Sequence, residues 1–276
     1  MRASTPWQLK IFAKIFLSRL PIDYRKWASL GIFKHGSMAS LEYPVKIFEL
    51  HKKYAENSGI SFDHASLLEM GTGDSLASAI LARKAGAKTF YTLDVGEFAT
   101  KDVEFYQYFA RRAGVDIGTP ESFPDLLDTL NAKYLTNGLQ SWDEVPDRSL
   151  DFIWSHSTLE HVRKHEFEPT IQRMYAALKP GGVASHNVHL PDHLDGRLNN
   201  LRFKSVLWEK EWWANSGFYT NRLRPSEIEQ AFRDSGFEVV TCDVARWTKL
   251  PTPRSAMAPE FRDFSDEDLL ATGMMN

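Results

Sequence analysis

Six of the nine histidines stand close together in the second half of the sequence: His156, His161, His165, His186, His189 and His193. An unperturbed histidine has a pKa near 6.5, which suits proton acceptance at neutral pH. Imidazole is also a common ligand of divalent transition metals. The cluster therefore indicates proton transfer or metal binding, although most single histidines in such a set serve as caps, core residues or surface residues.

A second chemical feature is a glycine turn between a strand pattern and a helix pattern. Ser66 to Val95 reads SLLEMGTGDSLASAILARKAGAKTFYTLDV, which predicts strand, turn, helix and strand. A dinucleotide fingerprint needs a third glycine after Gly71 and Gly73. The chain continues with DSL instead, and the carboxylate of Asp74 would repel a pyrophosphate at a helix N-terminus. The turn therefore favours a ligand with no phosphate at that position.

An acidic residue ends the second strand of this segment. Asp94 follows Gly73 by 21 residues, where doubly wound folds place an acid on ribose hydroxyls. S-adenosylmethionine has such a ribose, carries no diphosphate, and has an amino-acid end that can approach the glycine turn. We therefore expect S-adenosylmethionine as the cofactor. The alternatives are a non-catalytic sensor or scaffold that binds this ligand, and an NAD-type oxidoreductase with an altered glycine loop.

The elements that would position these groups follow from the apolar pattern. Strand-like and helix-like segments alternate through the middle of the chain, which is typical of a parallel sheet covered on both faces. Further strands are predicted at AKYLTN, SLDFIWSH and VASHNVHL, and a last helix and strand at RPSEIEQAFRDSGFEVVTCDVARW. The predicted fold is α/β, a doubly wound and mostly parallel Rossmann-like sheet with helices on both faces.

Helix boundaries are predicted from periodicity and stop signals. Helices are expected at Tyr43 to Asn57, from Asp74 or Ser75 to Lys84, through KDVEFYQYFARRAG, and from about Glu166 to Leu178 before a KPGG turn. Val115 to Asn131 fits no single element. Three domains are predicted: an N-terminal helical extension (1–60), a cofactor-binding domain (61–247) and a C-terminal tail (248–276). The cofactor-binding domain contains a substrate-lid insertion (191–224) before its last helix and strand.

The first residues of the chain predict a basic amphipathic helix. From Trp7 to Leu20 the apolar residues recur at helical spacing, with Lys10 and Lys14 between them. Such a helix either packs on the domain or on another subunit of a homo-oligomer, or lies on an anionic membrane. We expect packing more than membrane contact.

Composition excludes several classes of protein. A net charge of −3 gives no electrostatic reason to expect nucleic-acid binding. Cys242 is the single cysteine, so no internal disulfide can form. No run of about 18 apolar residues could span a bilayer, and the N-terminal region has no signal-peptide pattern. A cytoplasmic protein, with peripheral membrane association through residues 7–20 as the alternative, fits best.

Taken together, the motifs resemble those of the class I S-adenosylmethionine-dependent methyltransferases, over roughly residues 64 to 247. LLEMGTGDS resembles the first motif of that family, YTLDV its acidic strand end, SLDFIWSHSTLEHV its fourth strand with the following EHV, and ALKPGGVASHNV its turn into the fifth strand. The resemblance implies a cofactor site formed by Glu69, Gly71, Thr72, Gly73, Asp94, Val95, Leu139 and Ser155.

Methyl transfer requires in-line positioning of the acceptor and, for a hydroxyl, removal of its proton. His161 occupies the EHV position, where related small-molecule and sugar O-methyltransferases place a base. The resemblance therefore implies His161 as the general base, with Glu160 or His189 to orient it. Glu160, His161 and a histidine of SHNVH also resemble part of a metal site with an ExxEH motif. Ser157 replaces its first glutamate, so a divalent metal is the less favoured reading and no metal ligand is assigned.

Polar and aromatic residues fill the insertion, which predicts where the acceptor binds. Trp208, Trp212 and Trp213 either line an acceptor pocket or, for the first and second, form the buried face of one helix. The polar residues expected to bond hydroxyl groups are Asn199, Asn200, Arg202, Asn221 and Arg222. The insertion resembles those of methyltransferases that modify surface polysaccharides or lipid-linked glycans. We expect O-methylation of a sugar or another polyhydroxylated molecule.

Overall fold

The computed structural model describes residues 6–17, 19, 38–240 and 242–276. The chain divides into two compact units, which we call the glycine-loop unit, Ala28–His156 and Pro169–His186, and the terminal unit, Met1–Trp27, Ser157–Glu168 and Asn187–Asn276. Within the described ranges, no helix has the length and apolar character needed to cross a membrane. The domain boundaries drawn from the sequence stay a prediction.

Seven strands form one mostly parallel sheet: β1 (Ser66–Met70), β2 (Thr89–Leu93), β3 (Ala132–Leu135), β4 (Leu150–His156), β5 (Leu178–His189), β6 (Asp243–Arg246) and β7 (Ala271–Met275). Their order is β3-β2-β1-β4-β5-β7-β6. β1 pairs in parallel with β2 and β4, whereas β7 is antiparallel to β5 and β6. The predicted doubly wound fold is confirmed. The strand order reverses between β1 and β4, where such sheets open a crevice for ligands.

Ten α-helices are described: α1 (Trp7–Leu17), α2 (Tyr43–Asn57), α3 (Ala77–Lys84), α4 (Val103–Ala113), α5 (Phe123–Leu130), α6 (Lys164–Ala177), α7 (Ser205–Trp208), α8 (Glu211–Ala214), α9 (Pro225–Asp234) and α10 (Asp266–Leu269). The predicted bounds of α2 are confirmed. Helix α5 lies in the stretch for which the sequence predicted no single element. Ser122 caps it by accepting a hydrogen bond from the backbone of Asp125 at 3.2 Å, a serine N-cap that precedes Pro124 and is visible in the sequence.

Helix α3 begins at Ala77, two or three residues later than predicted. The hydroxyl of Thr72 donates to the backbone oxygen of Ser75 at 3.0 Å, and the hydroxyl of Ser75 donates to the backbone oxygen of Met38. Side chains that bond nearby backbone in this way compete with the helix. The loop between β1 and α3 is therefore longer and is held by its own polar groups.

Strand β5 begins at Leu178, so the predicted KPGG turn lies within the strand. A Cβ atom on Gly182 would stand 3.2 Å from the backbone oxygen of Leu150. Because glycine has no side chain, the two backbones can approach each other here. Gly182 therefore allows a close contact beside the start of β4, which the sequence pattern could not distinguish from a turn.

The terminal unit contains a strand that the sequence analysis did not predict, β7, in the segment read as a tail. The guanidinium of the fully buried Arg224 donates to the backbone oxygens of Asp268 at 2.8 Å, Ala271 at 3.0 Å and Leu190 at 3.3 Å. Hydrogen bonds from a charged donor are stronger than neutral ones. Arg224 thereby fixes the start of α9 to the start of β7.

Helix α1 packs inside the terminal unit. Ile11 is buried with Trp208, Trp213 and Phe218 in one apolar cluster. Lys10 donates to the backbone oxygen of Leu194 at 2.7 Å. The prediction that this helix packs on protein is confirmed for its described residues, and Leu20 lies outside them.

The insertion contains two short helices, α7 and α8, in place of the one helix expected for its tryptophans. Trp208 is fully buried, but Trp212 is 44% exposed and Trp213 takes the buried position instead. The helix ends before Lys210, which has an extended backbone. The four-residue spacing therefore does not place Trp208 and Trp212 on one face, and the prediction of a shared buried face was wrong.

Candidate functional site

The loop after β1 turns sharply at its two glycines. Gly71 and Gly73 have φ angles of 75° and 69°, in the left-handed region that favours glycine. The N–H of Gly71 donates to the backbone oxygen of Leu93 at 2.8 Å. The turn is thus tied to the end of β2, and the loop lies at the carboxyl ends of the central strands.

Glu69 lies beneath this loop with its carboxyl group fully inside the protein. It accepts hydrogen bonds from the hydroxyls of Ser78 and Thr72 at 3.1 and 3.2 Å, and from the indole N–H of Trp154 at 3.2 Å. Burial raises the pKa of Glu69 to about 7, while these three donors lower it. The glutamate is therefore poised between its neutral and charged forms near neutral pH, where a cationic ligand would favour the charged form.

Asp94 faces the same loop from the end of β2. Its carboxylate accepts from the backbone N–H of Val95 at 2.8 Å and of Gly73 at 3.4 Å. Burial raises the pKa of Asp94 to about 6, although both amides lower it. The predicted neighbours Asp94 and Gly73 are thus in contact, and an acceptor oxygen is held at the loop.

The other predicted cofactor residues have different surroundings. Val95 is 74% exposed, and a Cβ atom on Gly138 would lie 3.4 Å from its side chain. Leu139 lines a cleft of about 290 Å³ with Arg173 on α6. The hydroxyl of Ser155 is buried and bonds the imidazole of His186 at 2.8 Å. Their roles in cofactor binding stay predictions.

Asp74 does not point its carboxylate into open space. It accepts a hydrogen bond from the backbone N–H of Ala39 at 2.8 Å. Together with the Ser75 bond to Met38, this contact places the segment before α2 against the loop. Asp74, which follows Gly73 in the turn, therefore also holds the segment before α2 in place.

A buried histidine network lies in the glycine-loop unit, and one member was missed from the sequence. His51 on α2 is fully buried, bonds Ser185 at 3.1 Å and approaches the ring of His156 with Nε2 to Nδ1 at 3.4 Å. Burial is the main cause that lowers the pKa of His51 well below 6.5, that of His156 to about 4 and that of His186 to about 3. All three are neutral at neutral pH. A sequence signal existed, because His51 lies four residues from Ile47 and from Ala55 on the buried face of α2.

A second histidine group lies in the terminal unit, around the short turn Leu159–His161. The rings of His161 and His193 have centroids 4.9 Å apart, and those of His189 and His193 are 5.5 Å apart. His161 Nδ1 lies 3.1 Å from the backbone oxygen of Tyr219. A carbonyl oxygen only accepts, so this bond places a proton on Nδ1, and in the neutral form of the ring the lone pair is then on Nε2.

Glu160 lies next to this group and is buried. Among the residues described, no donor reaches either carboxyl oxygen with hydrogen-bond geometry. Burial raises the pKa of Glu160 to about 8, while the nearby backbone N–H groups of Glu160 and His189 lower it. Partial desolvation lowers the pKa of His193 to about 3, helped by the charges of its histidine neighbours and of Lys14. Both side chains are therefore uncharged at neutral pH.

Of the six clustered histidines, the structure thus brings together His161, His189 and His193. His165 is exposed at the start of α6, apart from this group. The turn that carries Glu160 and His161 is held by Asn221, whose side-chain amide donates to the backbone oxygen of Leu159 at 2.7 Å.

The polar residues expected to bond a sugar are largely engaged within the insertion. Arg222 donates to the backbone oxygen of Phe203 at 2.6 Å and to the hydroxyl of Ser205 at 2.9 Å. Arg202 donates to the side chain of Asn199 at 2.9 Å. With Asn221 they hold the local chain in place, so the structure does not support the prediction that they bond acceptor hydroxyls.

Residues 44–242 match a protein family described as a methyltransferase domain, and this range is more than half of the chain. The chain belongs to this family. The match confirms the prediction of a class I S-adenosylmethionine-dependent methyltransferase. No curated protein matches the sequence of this methyltransferase.

Several solved structures are similar in shape to the methyltransferase. A putative sarcosine dimethylglycine methyltransferase from Galdieria sulphuraria has 15% identity and a TM-score of 0.47, with 84% of each chain covered. A putative methyltransferase from Listeria monocytogenes has 15% identity and a TM-score of 0.45, covering 82% of this chain and 95% of that one. Phosphoethanolamine N-methyltransferase 2 from Haemonchus contortus has 16% identity and a TM-score of 0.45. The match includes 89% of the present chain but only 45% of the Haemonchus contortus chain, so the present chain spans less than half of that protein's length.

Proposed function

We propose that the methyltransferase moves the methyl group of S-adenosylmethionine to a hydroxyl group of a sugar or another polyhydroxylated small molecule. The observation that carries this proposal is the bond between His161 Nδ1 and the Tyr219 carbonyl. In the neutral imidazole it holds the ring proton on Nδ1, so that Nε2 can accept the proton of an alcohol. A sulfonium methyl group is already electrophilic, so the remaining requirement is in-line positioning of the acceptor oxygen.

In this proposal the two carboxyl groups of the glycine-loop unit bind the cofactor. Asp94 accepts hydrogen bonds from the ribose hydroxyls, as acids at the end of the second strand do in doubly wound folds. Glu69 lies beneath the glycine turn, and its charged form would be favoured by the ammonium group at the amino-acid end of S-adenosylmethionine. The turn between Gly71 and Gly73 lets the backbone approach that end of the ligand.

A screen with radiolabelled methyl donor tests the acceptor class. Free sugars, sugar nucleotides, lipid-linked glycans and amine acceptors are offered separately to the purified protein. We expect label to transfer to a hydroxylated acceptor and not to simple amines. Binding of S-adenosylmethionine without transfer to any of these acceptors would favour the sensor or scaffold alternative and would contradict the proposal.

The pH dependence of cofactor affinity provides an independent prediction for Asp94. The pKa of Asp94 is raised to about 6 by burial, and the charged form is the better acceptor for ribose hydroxyls. The contribution of Asp94 to the affinity for S-adenosylmethionine is therefore expected to be nearly full one pH unit above 6 and to fall by up to about tenfold per pH unit well below 6. Calorimetric titrations from pH 5 to pH 8 measure this.

The variant Asp94→Asn is the control for that titration. It cannot ionise, so the part of the pH dependence centred near 6 should disappear, and a remaining change near pH 7 would report Glu69. A parent profile that stays flat across this range would remove Asp94 from the ribose site.

We further propose peripheral membrane binding through α1, where a lipid-linked acceptor would be accessible to a cytoplasmic enzyme. Leu9, Phe12 and Phe16 are 58%, 71% and 67% exposed and share one face of the helix. Lys10 and Lys14 are held by backbone oxygens of the terminal unit. Insertion of apolar side chains would therefore contribute more to binding than the lysine charges do.

Replacing both Phe12 and Phe16 by serine is expected to lower sedimentation with anionic liposomes by about tenfold or more, because each exposed phenylalanine contributes about 1.5–3 kcal/mol when buried. Val206→Ser, which changes a residue that is 75% exposed on α7, should have no effect. Cofactor affinity should be the same in all three proteins. If the parent remains in the supernatant but the double variant changes from dimer to monomer, the face is an oligomer surface instead.

A further inference from the structure

We propose that Glu160, His161 and His193 form a binding site for a divalent transition metal ion, with Zn²⁺ as the best fit. One ligand atom of each residue lies within 4.8 Å of the others. Ligand atoms on a tetrahedral zinc ion are about 3.5 Å apart, given bond lengths of roughly 2.0–2.2 Å. Small side-chain rotations would therefore close the three atoms around one ion.

The buried carboxyl group of Glu160 is the observation that points most directly to a ligand. Glu160 is 2% exposed, and no described donor meets hydrogen-bond geometry at either oxygen, with the backbone N–H groups of Glu160 and His189 the nearest to act on it. A buried polar group without a partner is destabilising, and buried carboxylates are normally paired or bound to a metal. The chain therefore places a buried carboxyl group beside two imidazoles, and binding of a metal ion there would release its proton and make it an anionic ligand.

The orientation of His161 suits coordination. Metal-binding histidines commonly donate their other ring N–H to a backbone carbonyl, which fixes the ring and increases the basicity of the ligating nitrogen. His161 does this through Nδ1 and the oxygen of Tyr219 at 3.1 Å. The turn that carries His161 is held by Asn221, whose side-chain amide donates to the backbone oxygens of Leu159 and Val162 at 2.7 and 3.1 Å.

The donor set identifies the class of ion. Two imidazole nitrogens and one carboxylate suit zinc and neighbouring transition metals, whereas Mg²⁺ and Ca²⁺ prefer sites made of oxygen atoms alone. Three protein ligands leave a fourth position for water or an acceptor hydroxyl. Both histidines are exposed residues, so an ion can reach them from solvent.

This site does not depend on the proposed function, because it concerns binding of an ion and not turnover. An ion there would take the Nε2 lone pair that His161 otherwise offers to a proton. It would instead polarise a bound hydroxyl and lower the pKa of that hydroxyl. Removal of the acceptor proton would be assisted in either state, by the imidazole or by the ion.

Titration of the chelator-treated full chain with Co²⁺, followed by visible absorption and then by displacement with Zn²⁺, tests the site. We expect one ion per chain, and about tenfold or greater loss of affinity in Glu160→Gln and in His193→Ala. His165→Ala, which removes an exposed histidine outside the group, should bind like the parent. Zn²⁺ should also raise the melting temperature of the parent and of His165→Ala but not of the two ligand variants.

Glu160→Gln should fold normally, because glutamine has nearly the same shape as the uncharged carboxyl group and keeps an acceptor oxygen, and unchanged affinity for S-adenosylmethionine verifies this. No bound ion in the parent, or equal binding by parent and ligand variants, overturns the inference. Methyl transfer without metal binding would refute this site and leave the proposed function intact. Metal binding without methyl transfer to any hydroxylated acceptor would support this site and refute the proposed function.

Discussion

Replacement of His161 by alanine is expected to lower the turnover of methyl transfer by about a hundredfold or more, the usual range for loss of a group that assists proton transfer. The Nδ1 bond to Tyr219 presents Nε2 as the acceptor nitrogen, and alanine removes it. Affinity for S-adenosylmethionine should be unchanged, because none of the proposed cofactor contacts involves this side chain. A turnover assay on the acceptor found by the radiolabel screen, together with cofactor calorimetry, measures both quantities.

His165→Ala is the matched control, since it removes an exposed histidine only four residues away in the chain. Near-parental turnover of the His161 variant would refute the proton-transfer role and direct attention to His189 and His193. Asp192, which precedes His193, has a different role. Its carboxylate accepts from the backbone N–H groups of Leu194, Asp195 and Asn199 at 3.0, 2.8 and 2.6 Å, so it shapes the local turn.

The second large effect concerns the cofactor. Asp94→Ala is expected to weaken binding of S-adenosylmethionine by about 1.5–3 kcal/mol, or roughly tenfold to 150-fold, as for the loss of hydrogen bonds to a charged group. The measurement is calorimetry at pH 7.5, where the carboxyl is mainly ionised because its pKa is raised only to about 6.

Asp266→Ala provides the control for this experiment, because it removes an equally acidic but 72% exposed side chain, paired with Arg254 in the terminal unit. Circular dichroism verifies that both variants are folded. Unchanged affinity in Asp94→Ala would show that ribose binding does not depend on this residue, and would contradict the cofactor geometry proposed for the glycine-loop unit.

The central part of the fold could be predicted from the sequence because its signals are local. Buried parallel strands appear as apolar runs such as SLLEM and LDFIWSH, and the turns between them carry glycine. Asp94 could be placed for the same reason, since it ends such a run. The contact between its carboxylate and the Gly73 amide, at 3.4 Å, follows from two adjacent parallel strands ending at one edge.

Features that depend on distant contacts could not be predicted. Strand β7 has a weak strand signal in ATGMM, and it is formed by pairing with β5 and β6. Its start is fixed by Arg224, which is more than 40 residues away in the chain. A composition rich in glycine and methionine gives no period from which such pairing could be inferred.

The candidate site shows the same division between local and distant signals. His161 could be assigned from its position after β4, but its partner histidine could not. The sequence favoured a histidine of SHNVH, whereas the ring nearest to His161 among the clustered histidines is that of His193. His193 lies in the insertion, within a turn in which the Asp192 carboxylate accepts a hydrogen bond from the backbone N–H of Leu194. This turn positions His193, and no local sequence motif indicates it.

The measurement that tests the central claim most directly is carbon NMR of a reaction with S-adenosylmethionine labelled with ¹³C in its methyl group. The spectrum identifies the atom to which the methyl group becomes attached. We predict a new methoxy signal on a hydroxylated acceptor, formed by the parent and almost absent with His161→Ala. A labelled methyl group on nitrogen or sulfur, or a methoxy product formed equally well by both proteins, would contradict it.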